Sequence, residues 1–359
     1  MYEQDWLDQE FDNFPPLTTN ATLARTWLSQ MATGAARAGL TVQYCMSHCR
    51  HVLASAEFPS VTQARASGDY HPGGDQWHPV GTTSLFAYAL GLAPSKDNYW
   101  STTDQPGAKH YKDHPREPRS RLQAAVITLT KGPVAPSDAV GHSDVSLIMR
   151  SAAADGTLLQ PGAPAARLDS ALLAAALDAP PAGLPKGELW TAPTVLDGRT
   201  FIVVFAARMT EGYALTATEL RDAAGARTLP SMVAVEANAT TAPVPVSDAA
   251  PLRVAACDEL DFLLYNLAPR EANGWALLGE VASKWVGVSL ARFSALAADG
   301  TALSVTVRGS VGEVVDVAFA PPPTEEEAAA KTVTVRCVIS ESGAARVTVD
   351  GATRECVAL

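Results

Sequence analysis

VTQARASGDY, Val61 to Tyr70, decides how the first half of the chain is read. Val61, Gln63 and Arg65 fall on one side of an extended segment and Thr62, Ala64 and Ala66 on the other. The segment ends in a glycine-softened turn carrying Asp69, so one strand end delivers both an arginine and a carboxylate to the same loop. YEQDW, Tyr2 to Trp6, is a second strand-like stretch, and it ends with Asp5. If these strands belong to a β/α barrel, their carboxyl ends are where chemistry is done. Two carboxylates on separate strand ends are what cleavage of a glycosidic bond needs.

Outward from Val61, short strand-like runs alternate with helical ones from residue 1 to about 140, the mark of parallel β/α units. An amphipathic helix is predicted from Ala21 to Ala38, with Thr18, Thr19 or Asn20 as its cap and Gly39 as its stop. Thr41 to Ser47 reads as a strand, followed by a short helix through Val52 and Leu53. A helix from Val80 to Leu92 leads to PSKDNYW, Pro94 to Trp100, a further strand end. Leu122 to Val134 is an apolar helix running into a strand, and residues 138–180 read as helical with loops. The proline-rich patch from Ala179 to Gly187 marks a boundary between a domain at 1–180 and one at 187–359. Beyond it, period-two runs such as RTFIVVFAA and KTVTVRCVIS predict an antiparallel β-sandwich.

Composition narrows the function classes. The chain has 359 residues, 47% of them hydrophobic, and a formal net charge of −11. No basic stripe supplies phosphate contacts, so nucleic acid and anionic membrane are not expected partners. No run reaches the roughly 18 apolar residues of a membrane span, and MYEQDWLDQEF is too acidic for a signal peptide. Compartment is open; a secreted or lysosome- or vacuole-like location would need an upstream signal. Five cysteines, Cys45, Cys49, Cys257, Cys337 and Cys356, predict mostly free thiols with at most one or two bridges. Asn20-Ala-Thr22 and Asn238-Ala-Thr240 are glycosylation tripeptides. Thr324 to Lys331 reads as a solvated acidic insert.

A retaining glycosidase sets an attacking carboxylate and a proton-donating one about 5–5.5 Å apart. Asp5 and Asp69 leave room between them for two β/α units, and Arg65 has the fork of donors to hold a carboxylate or a sugar hydroxyl. Trp77, Tyr99 and Trp100 read equally as rim packing and as sugar-stacking platforms, whereas Trp275 and Trp285 read as core. His48, His51, His71 and His78 with Cys45 and Cys49 match no familiar zinc spacing and read as scattered surface or loop residues.

YEQDW, RASGD, SKDNYW and LQAAVITLTKGPVAPSD, in that order, resemble the second half of the barrel in the α-galactosidase and α-N-acetylgalactosaminidase clan, glycoside hydrolase families 27 and 36, which includes raffinose synthases. The resemblance implies a partial (β/α)8 barrel, strands four to eight, followed by the β-sandwich, in a divergent member truncated at its N-terminus. It implies that Asp5 is the nucleophile, Asp69 the general acid/base, and Asp97 a substrate contact after the seventh strand. The eighth strand is implied near Gly132 to Asp138. Gln43 and Tyr44 are the implied lining residues, and with Arg65, Trp77 and Trp100 from the residue reading they complete the expected carbohydrate-binding set, with no cofactor and no metal expected. Glu3 stands where many members carry lysine, which changes the charge beside the sugar. The activity implied is hydrolysis of α-galactosyl or related α-glycosides, with transfer to a sugar acceptor as an open outcome; the alternative is a non-catalytic carbohydrate-binding or structural remnant.

Overall fold

The computed structural model of the chain describes residues 1–106, 116–177, 181–237, 242–323 and 331–359. Strands β1 (Tyr2–Gln4), β2 (Val42–Tyr44), β3 (Val61–Arg65) and β4 (Ala93–Ser95) lie side by side in chain order in one parallel sheet. Parallel neighbours need crossovers, and helices α1 (Leu7–Asp12), α2 (Pro15–Thr19), α3 (Leu23–Arg37), α4 (Cys49–Ala54) and α5 (Val80–Ala89) supply them. The start of α3 is fixed by Asn20, whose Oδ1 accepts the backbone N–H groups of Thr22 and Leu23. Its end is Gly39 at φ 68°, a left-handed position that suits glycine.

One face of this sheet is apolar and the other polar. Leu28, Ala32 and Ala35 of α3 pack in one cluster with Val42, Tyr44, Val61 and Ala64. The register aligns Glu3 with Gln43 and Gln43 with Gln63, so these three share a rung of the opposite face. Alternation then carries Asp5, Cys45 and Arg65 to that same face at the carboxyl ends.

Helix α6 (Ser120–Leu129) is buried at every position but Arg121, and no strand directly follows it. The strand expected near Gly132 to Asp138 is replaced by an irregular segment with one parallel bridge, Tyr99 to Pro136. Pro133 and Pro136 have no N–H to give a ladder. The parallel sheet therefore stops at four strands, and among the described residues there is no closed barrel. Residues 138–180 are mostly loop: their described helices are α7 (Val145–Ile148), a 3-10 turn at Met149–Ser151 and, after strand β5 (Ala166–Arg167), α8 (Asp169–Ala176).

Next come β6 (Glu188–Leu196), β7 (Arg199–Ala207), β8 (Tyr213–Leu215), α9 (Ala217–Ala223), β9 (Met232–Glu236), β10 (Val244–Val246), β11 (Leu252–Val254) and β12 (Phe262–Pro269). An antiparallel sheet of order β10-β9-β12-β7-β6-β5 dominates this region, and β8 pairs with β11. The segments 1–180 and 187–359 are knitted together. β5, which precedes the proline-rich patch, pairs with β6. Trp77, Val80 and the apolar residues of α6 share a core with Trp190, Phe205, Phe262 and Trp285.

The remaining strands are β13 (Ala276–Gly279), β14 (Phe293–Asp299), β15 (Ala302–Arg308), β16 (Val314–Ala320), β17 (Val333–Val338), β18 (Ala344–Val349) and β19 (Arg354–Ala358). They form two antiparallel sheets, β13-β16-β17 and β14-β15-β18-β19. Alternate residues of both, among them Val315, Val317, Phe319, Val305, Val307 and Val347, enter one buried cluster. A disulfide between Cys337 of β17 and Cys356 of β19 ties the sheets together, while Cys45, Cys49 and Cys257 are free thiols. The bridge spans 19 residues. Cys337→Ser is expected to cost about 2–3 kcal/mol by freeing that loop in the unfolded chain. An unshifted urea midpoint would contradict this. Asn238-Ala-Thr240 and most of Thr324 to Lys331 lie outside the described residues.

Candidate functional site

The carboxyl ends of the four parallel strands bring together Asp5 after β1, Cys45 after β2, Arg65 and Asp69 at and after β3, and Asp97 after β4. Arg65 is the hub, its side chain only 9% exposed. Its Nη1 lies 2.6 Å from Asp97 Oδ1 and its Nη2 lies 3.2 Å from Asp69 Oδ1. The same Nη2 donates to Cys45 Sγ. Burial pushes the Cys45 thiol up to about 12; Arg65 opposes that rise and the neighbouring Asp5 carboxylate adds to it. Asp5 in turn accepts the Trp6 backbone N–H at 2.8 Å. Asp69 is open to solvent, with its side chain 49% exposed, whereas Asp97 is mostly covered.

Asp97 is held from several directions. Its Oδ2 accepts the Tyr70 backbone N–H at 2.6 Å, and its own N–H donates to Ser67 Oγ at 2.9 Å. Burial alone would raise its carboxyl, but Arg65 and the N–H groups of Tyr70 and Asn98 outweigh that and keep it below the usual carboxylate range. The loop after β3 is clamped in turn. Tyr70 donates its hydroxyl to fully buried Glu117 at 2.9 Å, and Glu117 also accepts the N–H groups of Gly73 and Arg119. Arg119 pairs with Asp75 and donates to the carbonyls of Gly73 and Gly74, and Arg208 pairs with the same Asp75. An exposed polar loop is thus seated by charged residues from distant parts of the chain.

The structure separates the residues predicted for this site. Asp5, Arg65, Asp69 and Asp97 come together at the strand ends. Gln43 lies on the polar face lower down, where its Nε2 donates to Glu3 Oε1 at 2.9 Å. Tyr44 does not line the site: one residue along β2 it faces the helices, fully buried with Leu28, Val52 and Phe58. Trp77 is no stacking platform, because its ring is fully buried against Trp190 and Phe205, with centroids 5.7 and 6.1 Å away. Trp100 is likewise buried, edge-on to Tyr70, and Tyr99 is buried with it in the shared core. Neither tryptophan presents the free face that stacking on a sugar requires. Trp275 and Trp285 are both core.

His48 Nε2 lies 3.0 Å from Asp12 Oδ2, and buried His51 accepts the His48 backbone N–H on its Nδ1. Among the described residues no group of three or more His, Cys, Asp or Glu is arranged to hold a metal; His110 and His114 lie outside them. Cys45, Lys96, Glu117 and Arg119 take part in the site or its support and were not legible as such. Their one signal in the sequence is position, since Cys45 and Lys96 sit at strand ends and Glu117 and Arg119 immediately precede the apolar helix α6. No known protein-family model matches the chain, and no curated protein sequence matches it significantly.

Proposed function

We propose that this protein is of the retaining α-glycosidase type, acting on α-galactosyl or related α-glycosides without a cofactor. In this reading the parallel sheet corresponds to strands four to seven of a β/α barrel, and the terminal antiparallel sheets to the β-sandwich that follows such a barrel. The supporting observation is the pairing of Asp69 and Asp97 with one buried arginine, whose partner Cys45 also neighbours Asp5, at the carboxyl ends of consecutive parallel strands. A carboxylate oxygen of Asp5 bonds to the anomeric carbon while the glycosidic bond breaks and the leaving oxygen takes the proton of Asp69. Asp69, now ionised, draws a proton from water. The water oxygen attacks the same carbon, and the ester to Asp5 breaks. Arg65 and Asp97 fix the geometry around the sugar. A hydroxyl in place of water gives transfer instead of hydrolysis.

Aryl α-galactosides and other aryl α-glycosides are the substrates for the test. Asp5→Asn and Asp69→Asn are each expected to cut turnover at least about 100-fold, the lower end for losing an acid/base group. Wild-type turnover in either variant rejects the assignment. A second reading, carbohydrate binding without turnover, is favoured by Glu3, whose carboxylate engages Gln43 at the position where the resemblance implies lysine. Calorimetric binding of galactose by a chain inert toward every aryl glycoside would select it.

A further inference from the structure

Lys96 is the least expected side chain near this cluster. It directly follows β4, is only 3% exposed, and forms no ion pair among the described residues. Its Nζ donates to two backbone carbonyls, Asp97 at 3.3 Å and Asn98 at 2.8 Å, and lies 5.2 Å above the Tyr70 ring. Those three contacts surround the turn that carries Asp97. Tyr70 N–H holds the Asp97 carboxylate from the other side, and the Tyr70 hydroxyl is anchored on Glu117. A lysine stripped of water and left without a carboxylate at bonding distance is costly unless the contacts that it does make are needed.

We propose that Lys96 is a positioning residue: by tying the Asp97 and Asn98 carbonyls over the Tyr70 ring, it fixes the turn that aims Asp97 at Arg65, and so keeps Arg65 over the Cys45 thiol. The charged and titratable groups facing its ammonium are Asp97, Glu117, Arg65 and Tyr70. Burial pulls its proton affinity down to about 7, against the opposing pull of Asp97 and Glu117 and with a further lowering by Arg65. An opened turn would return the amine to water and to its ordinary proton affinity, so rising pH favours the closed turn. For activity, this extends the glycosidase reading through the placement of Asp97. The geometric part does not depend on that reading.

The test uses Cys45 as a reporter, since its thiol lies under Arg65, with the half-buried Cys257 as an internal control. Both are alkylated with iodoacetamide at pH 7 in the full chain, and the peptides are quantified by mass spectrometry. Lys96→Met is expected to speed labelling of Cys45 about tenfold or more with Cys257 unchanged, the signature of a local opening. Lys96→Arg, which keeps a cationic donor, is expected to restore protection of Cys45. Unchanged Cys45 labelling in Lys96→Met overturns the proposal, and so does a parallel rise at both cysteines. If Lys96→Met does not accumulate as folded protein, loss of Cys45 protection in Lys96→Arg overturns it. An inert wild-type chain bears on the glycosidase reading alone, since the labelling result stands without it.

Discussion

Arg65→Met is expected to lower stability by about 3 kcal/mol, the low end for breaking a buried pair, and to scatter the carboxylates at the strand ends. Methionine retains much of the aliphatic stem, so the loss isolates the guanidinium fork. Asp69 is half in solvent and hydrates once released, so its share of the loss is small. Asp97 cannot hydrate as freely. It keeps the N–H groups of Tyr70 and Asn98 but loses the cation that offsets its burial. Because the folded-state pKa of Asp97 is depressed, the stability it contributes is present above the unfolded carboxylate value of about 3.9 and is lost as pH falls through the folded value. The difference between wild type and variant, read from urea midpoints, should therefore be full at pH 7 and shrink below about pH 4. Asp97→Asn added to Arg65→Met should recover part of the loss by removing the unpaired charge. A deficit under about 1 kcal/mol at pH 7, or one that does not change in acid, would show that Asp97 does not depend on Arg65.

The parts of this site that were legible in the sequence are those with a visible period. After an irregularity at Thr62 the side chains from Gln63 to Arg65 alternate, and the following turn contains Gly68, so strand, loop, arginine and aspartate could be placed in order. β2 had no such period. Val42, Gln43 and Tyr44 are all buried, because the short strand is covered on both faces, and apolarity then says nothing about which way a side chain points. Gln43 and Tyr44 were both implied as lining residues by the resemblance, but neighbours on a strand point to opposite faces, so only one of the two can lie on the polar side. Trp77 failed for a different reason. Its partners Trp190 and Phe205 come from a sheet more than a hundred residues further along, and no local pattern announces that contact. The missing strand after α6 was readable in principle, since two prolines stand where ladder donors were needed. Lys96 was invisible because a lysine is expected in water, and only the packed surroundings show that this one is covered.

Arg292→Met is expected to be still more damaging, costing about 3–5 kcal/mol. Arg292 is 1% exposed and serves two carboxylates: its Nε lies 2.8 Å from Glu280 Oε2 and its Nη2 lies 2.6 Å from Glu313 Oε1. Nη1 donates to the Arg308 carbonyl at 2.6 Å. Glu313 also accepts the Ala154 backbone N–H, so the cluster joins the loop after α7 to the terminal sheets. Removing the arginine leaves two covered carboxylates facing each other. Glu280 is the vulnerable one. Burial already raises its pKa, and Arg292 and Lys284 only partly counter that. A raised folded-state pKa means that the native protein holds this proton more tightly than the unfolded chain, so stability falls as pH rises through the raised value. Without Arg292 that value climbs further, and the variant should lose most at pH 8 and regain stability on acidification toward pH 5. Glu280→Gln in the Arg292→Met background should return a measurable part of the loss at pH 8 by removing the buried charge while keeping the shape. If the denaturation midpoint of Arg292→Met matches wild type at pH 8, or if Glu280→Gln makes the variant worse there, the triad is not held together by the charge balance described.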